Sequence, residues 1–459
     1  DRVELIDFYR EHYSANRMGL AMLSTHSLDE MEQWARKHFS AVENHNLPRN
    51  VHDSNVIEGK KTLRVVYVEP VKDIRKMDIL FELPSTRDKY ESKPGRQFGF
   101  ILGHEGKGSL LSHLKQKGWA LTLSAGTRQE SKEVGLATVS IGLTETGLKQ
   151  YKDVLKSVVG YIQLMKDSGH QRHVFNELSS MASLNEIYSS KGEGMWRATD
   201  LANEAMMYPI SDVGRINYIY RDDKPDSYNN LLSQLNIENM MVYLSSKGVP
   251  TDKTEHFFQI NYSYTEDDEL YKELSTPIIY DDFMVAEENP FIPKKASVPK
   301  RKLADDVFPS PIIDKSGVKL YFGEDHEFLR PKGVIGLKIM LPKDKMSIQH
   351  RVYSRLYAAC VKESLNELSY PAKQAGLNYN IRDSYEGILL DVNGYKESAM
   401  KLYELMLDHM VDFSVTDEQF DAIKDKIVRD YENFALSDAH QQTRELSSDV
   451  MFGIKYTWE

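Results

Sequence analysis

Apolar residues at strand and helix spacing divide the chain into two long stretches of mixed structure. In the first stretch, strand-like runs lie at 63–68, 77–83, 119–124, 134–143, 240–245 and 257–264, and helical spacing covers 144–165, 171–189 and 194–207. Alternation with a period of two predicts half-buried strands, and a period near 3.6 predicts amphipathic helices. Strands on both sides of a helical middle predict one α+β domain at 62–274.

The pattern restarts in the second stretch. Strand-like runs lie at 318–322, 334–341 and 387–394. Helical spacing from 347 to 375 predicts one long helix, which Gly376 ends. The succession of helix, glycine, strand, strand and helix around Gly376 repeats the succession around Gly118, about 250 residues earlier, a separation of domain size. We therefore expect an internal repeat whose second copy is 315–459.

Two stretches lie outside these domains. Residues 1–61 have the pattern of helix, strand at 18–23, helix and polar connector, which predicts the final part of an α/β unit. Six of the sixteen prolines fall between 275 and 314, so we expect a long linker without regular structure there. The basic residues of this linker are either a polyanion site or a solvated surface; they are Lys294, Lys295, Lys300, Arg301 and Lys302.

Composition excludes some classes of function. The net charge of −11 argues against nucleic acid as a partner, because such binding depends on neutralising phosphates with Lys and Arg. No apolar run is long enough for a membrane span, so we expect no membrane partner. The single cysteine, Cys360, excludes an internal disulfide framework.

The most distinctive stretch is the glycine-rich block from Gly99 to Gly126. Three glycines surround the pair His104–Glu105 and predict a loop where backbone can approach a ligand closely. Ser109 can cap a short helix after this loop. A P-loop would need Ser or Thr where Gly108 stands, and a dinucleotide fingerprint would need Gly where Leu111 stands, so both phosphate-binding motifs are excluded.

The block from Leu102 to Trp119 resembles the second domain of the insulin-degrading enzyme and pitrilysin family of zinc metallopeptidases, the inverzincins. Asn289–Pro293 resembles the linker motif of that family, and Lys319–Phe322 resembles its third domain. The resemblance implies an α+β fold of repeated insulysin-type domains, each an antiparallel-rich sheet packed with helices, joined by a long linker. It divides the chain into the end of domain one at 1–61, domain two at 62–274, the linker at 275–314 and part of domain three at 315–459.

The resemblance also implies a substrate-anchoring exosite, in which a carboxylate and the edge of a neighbouring strand hold the N-terminal end of a peptide. The matching positions are Gly103, Glu105, Leu123, Ser124 and Ala125. Two positions differ from insulin-degrading enzymes, since Phe100 replaces a His and Ala125 replaces a Gly. Two structural alternatives stay open: Glu105 caps the short helix, or 123–125 is an interior strand.

Catalysis in this family needs His-x-x-Glu-His, in which two His bind zinc and the Glu acts as base. None of the fourteen histidines begins this motif, so we predict no catalytic or metal-binding residue in the chain. Zinc is expected in the full-length enzyme and not on this chain. His104–Glu105 is either an acid–base pair or a loop histidine bound to backbone, and His170–His173 is either a metal pair or a site of adventitious binding.

The sequence therefore predicts the non-catalytic central portion of a zinc metalloendopeptidase that binds and cleaves peptides. The alternative is a non-catalytic scaffold or peptide-binding homologue of the same superfamily, and an intact zinc motif ahead of Asp1 would decide between them. The expected partners are peptide substrates, domains one and four of the same polypeptide and, as an open alternative, a second copy of the chain. The compartment stays undetermined; a bacterial protein would be periplasmic or cytoplasmic.

Overall fold

The computed structural model describes residues 1–459 except 49–50, 52–56, 191, 295, 297, 299–307, 326, 343–346, 385 and 453–459. Most of the basic cluster of the predicted linker lies outside the described residues, so the polyanion alternative stays open.

The N-terminal segment contains two helices without a core of its own. Helix α1 is Arg2–His12 and helix α2 is Leu28–Phe39, and neither contains a buried residue. Ser27 and Glu30 form a capping box at the start of α2. The strand predicted at 18–23 does not form, because no described strand lies beside it to complete its hydrogen bonds.

The first long stretch forms a seven-stranded sheet, which together with its helices we call the large-sheet domain (63–274). Its strands are β1 (Leu63–Glu69), β2 (Lys76–Pro84), β3 (Ala120–Gln129), β4 (Val134–Leu143), β5 (Met240–Ser245), β6 (Lys253–Thr254) and β7 (Asn261–Asp267). Their order is β3-β4-β2-β5-β1-β7-β6, and only the β1–β5 pair is parallel. The strand β3 is thus at one end of the sheet.

Helices of the large-sheet domain cover the sheet. They are α3 (Pro94–Leu102), α4 (Leu110–Gln116), α5 (Glu145–Lys149), α6 (Tyr151–Ser168), α7 (Arg172–Tyr188), α8 (Gly194–Ala205), α9 (Pro225–Gln234) and α10 (Asp268–Leu274). The apolar face of α6 is buried in the core cluster that also contains residues of the strands and of other helices, as its helical spacing predicts. Met206 and Met207, which follow α8, are each 40% exposed.

The second long stretch forms a smaller unit, the small-sheet domain (310–452). Its strands are β8 (Ser310–Lys315), β9 (Val318–Phe322), β10 (Lys332–Met340), β11 (Asn378–Ser384) and β12 (Gly387–Tyr395), and its helices are α11 (Ile348–Ser364), α12 (Asn366–Gln374), α13 (Lys396–Val411), α14 (Asp417–Phe434) and α15 (Ala439–Phe452). The prediction of one helix from 347 to 375 is wrong. Pro371 lies inside α12, has no N–H to donate and crowds the carbonyl four residues earlier, which disfavours a straight continuous helix.

The two domains share a topology. Strand β4 pairs with β2 and β3 in the large sheet, and β12 pairs with β10 and β11 in the small sheet, all antiparallel. Helices precede β3 and β11 in the chain, and each helical block ends at a left-handed glycine, Gly118 or Gly376. The fold is therefore an α+β fold of repeated, mostly antiparallel sheets packed with helices, as predicted.

The segment between the domains is held by specific contacts. Met284 N donates to Gly108 O at 2.8 Å, and Tyr161 Oη donates to Met284 O at 2.9 Å. Further on, Asn289 N donates to Glu177 Oε1 and Asn289 Nδ2 donates to Pro371 O, each at 2.7 Å. The expectation of no regular structure is wrong for the end of this segment, because Ser310–Lys315 pairs with β9.

Helix α14 also fastens the two domains together. Arg75 Nη1 lies 2.8 Å from Asp425 Oδ2. Asn433 exchanges two hydrogen bonds with the backbone of Asp73, each at 2.8 Å. The loop between β1 and β2 is therefore a docking point for the small-sheet domain.

Candidate functional site

The loop Gly103–Gly108 connects two short buried helices. Helix α3 ends at Gly103, and α4 begins after Ser109, whose hydroxyl accepts from Ser112 N at 3.2 Å. Ser109 therefore fills the cap of α4, as its position predicts. Glu105 accepts no hydrogen bond from the described part of the chain, so the alternative in which this carboxylate caps the helix is not what the structure contains.

Glycines bring α3 directly onto the backbone of β3. A Cβ at Gly99 would lie 2.9 Å from Ala125 O, and a Cβ at Gly103 would lie 3.3 Å from Ala125 N. A side chain at either position would push the helix and the strand apart. The two halves of the predicted site, the loop at Gly103 and the strand at Ala125, are thus adjacent because these positions carry no side chain.

Strand β3 is at an end of the seven-stranded sheet and pairs with β4 alone among the described strands. Leu123 is buried, Ser124 is exposed and Ala125 is half-buried, which is the alternation of a strand with one covered face. The alternative of an interior strand is therefore wrong. An end strand has backbone groups that an added peptide strand can bind.

His104 is a structural histidine of the loop. Its Nδ1 accepts from Gly106 N at 3.0 Å, and its ring packs edge-on against Tyr370 at a centroid distance of 4.7 Å. Burial lowers the pKa of His104 to about 4, so the ring is neutral at physiological pH. This geometry matches the loop histidine bound to backbone and not an acid–base partner of Glu105.

The small-sheet domain contributes residues that sequence reasoning did not find. Tyr370 Oη donates to Gly103 O at 2.9 Å, and Ser112 Oγ donates to Glu367 Oε1 at 2.5 Å. Lys115 Nζ lies 2.7 Å from Glu363 Oε1. No local pattern could signal these pairs, because their members are about 250 residues apart and belong to different domains.

Two half-buried charged side chains near the loop, Glu105 and Lys373, form no ion pair in the described chain. Glu105 is half-buried and, within the described chain, makes no hydrogen bond or ion pair. Lys373 of α12 is half-buried as well, with its ammonium 5.4 Å from the ring centroid of Tyr379. Burial lowers the pKa of Lys373, and the nearby Glu105 carboxylate opposes part of that shift. Both groups are half-buried, and neither makes a direct contact with a group of opposite charge in the described chain.

A Ser-His-Asp constellation lies outside this site. His113 Nδ1 is 2.8 Å from Asp282 Oδ2, and its Nε2 is 3.5 Å from Ser157 Oγ. However, Ser157 is fully buried and donates its hydroxyl to Asp153 O at 3.0 Å. The hydroxyl is neither free nor accessible to a substrate, so this group fastens Asp282 to α4 and α6 and does not form a nucleophilic triad.

The residues described by the structure do not fit a zinc ion. His170 Nε2 lies 2.7 Å from Asp223 Oδ1, whereas His173 Nε2 bonds Ala286 O at 2.9 Å, so the two histidines have different partners. No group of three or more His, Cys, Asp or Glu side chains in the described ranges is placed to bind a metal. Likewise, none of the described helices combines the length and apolar character needed to cross a bilayer.

Two family models together match nearly all of the chain. Residues 1–179 match the family model "Peptidase M16 inactive domain", and residues 187–459 match "Middle or third domain of peptidase_M16". The boundary between these matches falls inside the large-sheet domain, so the domain limits drawn from the sequence stay a prediction.

Similar proteins cover nearly the whole chain. The insulin-degrading enzyme of Homo sapiens is 30% identical over 459 residues, a match that covers 99% of this chain and 45% of that protein. The A-factor-processing enzyme of Saccharomyces cerevisiae is 29% identical over 439 residues, with 94% of this chain and 42% of that protein covered. This chain thus spans about half the length of these relatives.

The fold has a solved counterpart. The crystal structure of pitrilysin superposes with a TM-score of 0.71 at 20% identity, covering 99% of this chain and 49% of that chain. At this identity the likeness shows a shared fold. Together with the two family matches, it establishes that the chain belongs to the insulysin and pitrilysin family of M16 peptidases.

Proposed function

We propose that this chain is the peptide-anchoring middle portion of an M16 zinc metalloendopeptidase. The whole protein binds and cleaves peptides, and this portion holds the N-terminal end of the substrate. The observation that carries the proposal is the unpaired, half-buried carboxylate of Glu105 beside the end strand β3. Hydrolysis and zinc belong to the whole enzyme in this proposal, because the donor set described above fits no metal.

Two interactions would hold the peptide. The α-ammonium group of the peptide would bind the Glu105 carboxylate, which is available because no described residue occupies it. The first residues of the peptide would extend β3 along Leu123, Ser124 and Ala125 through main-chain hydrogen bonds. Main-chain pairing tolerates many side chains, so this site would accept peptides of varied sequence that have a free amino terminus.

The test is a fluorescence anisotropy titration of the chain with peptides of about 20 residues, long enough to add a strand. Each peptide is prepared with a free and with an acetylated N-terminus and is labelled at its C-terminus. We expect the free amine to bind more tightly, and Glu105→Gln to abolish that preference. The matched control is Glu269→Gln, an exposed carboxylate on α10, which should leave the preference intact. Equal binding of the two peptide forms to the unmodified chain contradicts the proposal.

A further inference from the structure

The two unpaired charges come from different domains but border the same loop. Glu105 lies two residues after Gly103, and Lys373 lies one helical turn after Tyr370, whose hydroxyl bonds Gly103 O. Residues three apart on a helix are neighbours on its surface, so the contact of Tyr370 also brings Lys373 towards the loop. The Glu105 carboxylate contributes to the raised pKa values of Tyr370 and Tyr379 and opposes the lowering of the Lys373 pKa, which agrees with the proximity that the Tyr370–Gly103 hydrogen bond implies.

The charged groups of Lys115 and Glu367 at this seam have direct partners. Lys115 pairs with Glu363, and Ser112 donates to Glu367. In the described chain, Lys373 makes no hydrogen bond or ion pair; its ammonium has the ring of Tyr379 as a direct neighbour and the Glu105 carboxylate as a more distant one. A partly desolvated charge without a partner is unfavourable, and a ligand that supplies the opposite charge recovers that free energy. A ligand that brings a cation to Glu105 and an anion to Lys373 would give each of these charges a direct partner.

We propose that Lys373 makes the site selective for peptides whose free N-terminus is accompanied by an acidic side chain within the first two residues. Glu105 binds the α-ammonium, and Lys373 binds the carboxylate of that Asp or Glu. This inference rests on the proposed function and adds the class of substrate to it. Charge complementarity of this kind discriminates between partners more than it raises the affinity for all of them.

Matched peptides test the selectivity. The 459-residue chain is titrated with free-amine peptides that begin Asp-Ala, Ala-Asp, Asn-Ala or Ala-Asn and are otherwise identical. We expect an Asp peptide to bind about threefold to tenfold more tightly than its Asn counterpart, the range of one modest charge interaction. Lys373→Met should remove this difference while keeping the preference for a free over an acetylated terminus. Lys373→Glu should reverse it, so that a peptide with Lys in place of Asp binds better.

The control variant is Lys424→Met, an exposed lysine on α14, which should change neither preference. The thermal midpoint of each variant verifies that the chain is folded. If free and acetylated peptides bind equally, the proposed function fails and this inference fails with it. If the free amine is preferred but Asp and Asn peptides bind equally, only this inference is wrong. If Lys373→Met weakens every peptide by the same factor, Lys373 has a structural role, and the selectivity is again contradicted.

Discussion

The hydroxyl of Tyr370 donates to the carbonyl of Gly103 at 2.9 Å, although the two residues are 267 positions apart in the chain. Gln374 Nε2 donates to the same hydroxyl. This buried bond makes the loop Gly103–Gly108 of one domain part of the packing surface of the next. We therefore expect the proposed peptide binding at this loop and the docking of the small-sheet domain to depend on each other.

Tyr370→Phe should weaken both the docking of the small-sheet domain and the binding of peptides at the loop. The substitution leaves Gly103 O and Gln374 Nε2 without their buried partner, which costs about 1–3 kcal/mol of unfolding free energy. Chemical denaturation measures that loss, and the anisotropy titration should show weaker binding of free-amine peptides. Tyr321→Phe, at an exposed tyrosine on β9, is the control. If Tyr370→Phe changed neither the stability nor the peptide affinity, the Tyr370 hydroxyl would not couple the loop to the domain interface.

Gly99→Ala should separate α3 from β3. The new methyl group would meet Ala125 O at 2.9 Å, and overpacking of this kind costs about 1–3 kcal/mol. Gly126→Ala, on β3 next to Ala125, is the control, because a Cβ there meets nothing within 4 Å. Urea denaturation compares the two variants. An equal effect of both substitutions would mean that the close approach of α3 does not limit stability.

Stability should decrease on acidification because of His104. Its pKa in the fold, about 4, is below the ordinary histidine value, so the unfolded chain binds more protons in between. The unfolding free energy therefore falls as the pH decreases from about 6.5 to 4, by at most about 3 kcal/mol. His104→Gln should reduce this slope, whereas His38→Gln, at an exposed histidine of α2, should not. The same slope in both variants would assign the acid sensitivity to other groups.

Glu177 should contribute a pH dependence of stability opposite in sign to that of His104. Burial raises its pKa, although the hydrogen bond from Asn289 N opposes the shift. An acid with a raised pKa contributes stability that is present at low pH and is lost as the pH rises through that value. Glu177→Gln retains an acceptor for Asn289 N and removes the charge, so stability at neutral pH should be unchanged or higher. A large loss of stability, compared with the exposed control Glu432→Gln, would show that the ionised form is needed to hold the linker.

Metal should have no effect on this chain alone. The described residues contain no group of three potential ligands, so neither zinc nor a chelator should shift the thermal midpoint. Peptide turnover by the pure chain is expected to be absent with or without zinc. Stoichiometric zinc in native mass spectrometry, or zinc-stimulated turnover, would contradict this prediction.

Local patterns were sufficient for the parts of the fold that depend on neighbouring residues. Alternation predicted β2 and β4, helical spacing predicted α6, and cap chemistry predicted the start of α4 at Ser109. Two predictions of secondary structure failed, one where a helix is interrupted and one where a strand has no neighbouring strand to pair with. Pro371 accompanies a break in the expected long helix, and the apolar run at 18–23 has no strand beside it.

Motifs, periodicity and turn chemistry are properties of short segments, so they were sufficient to predict the family, the repeat of two mixed sheets and the position of the glycine-rich loop. They could not show that β3 lies at the end of its sheet or that Tyr370 of the other domain bonds the loop that contains Glu105. These relationships depend on which distant surfaces pack together. That choice is made by the burial and hydrogen bonding of the whole fold, and no short segment encodes it.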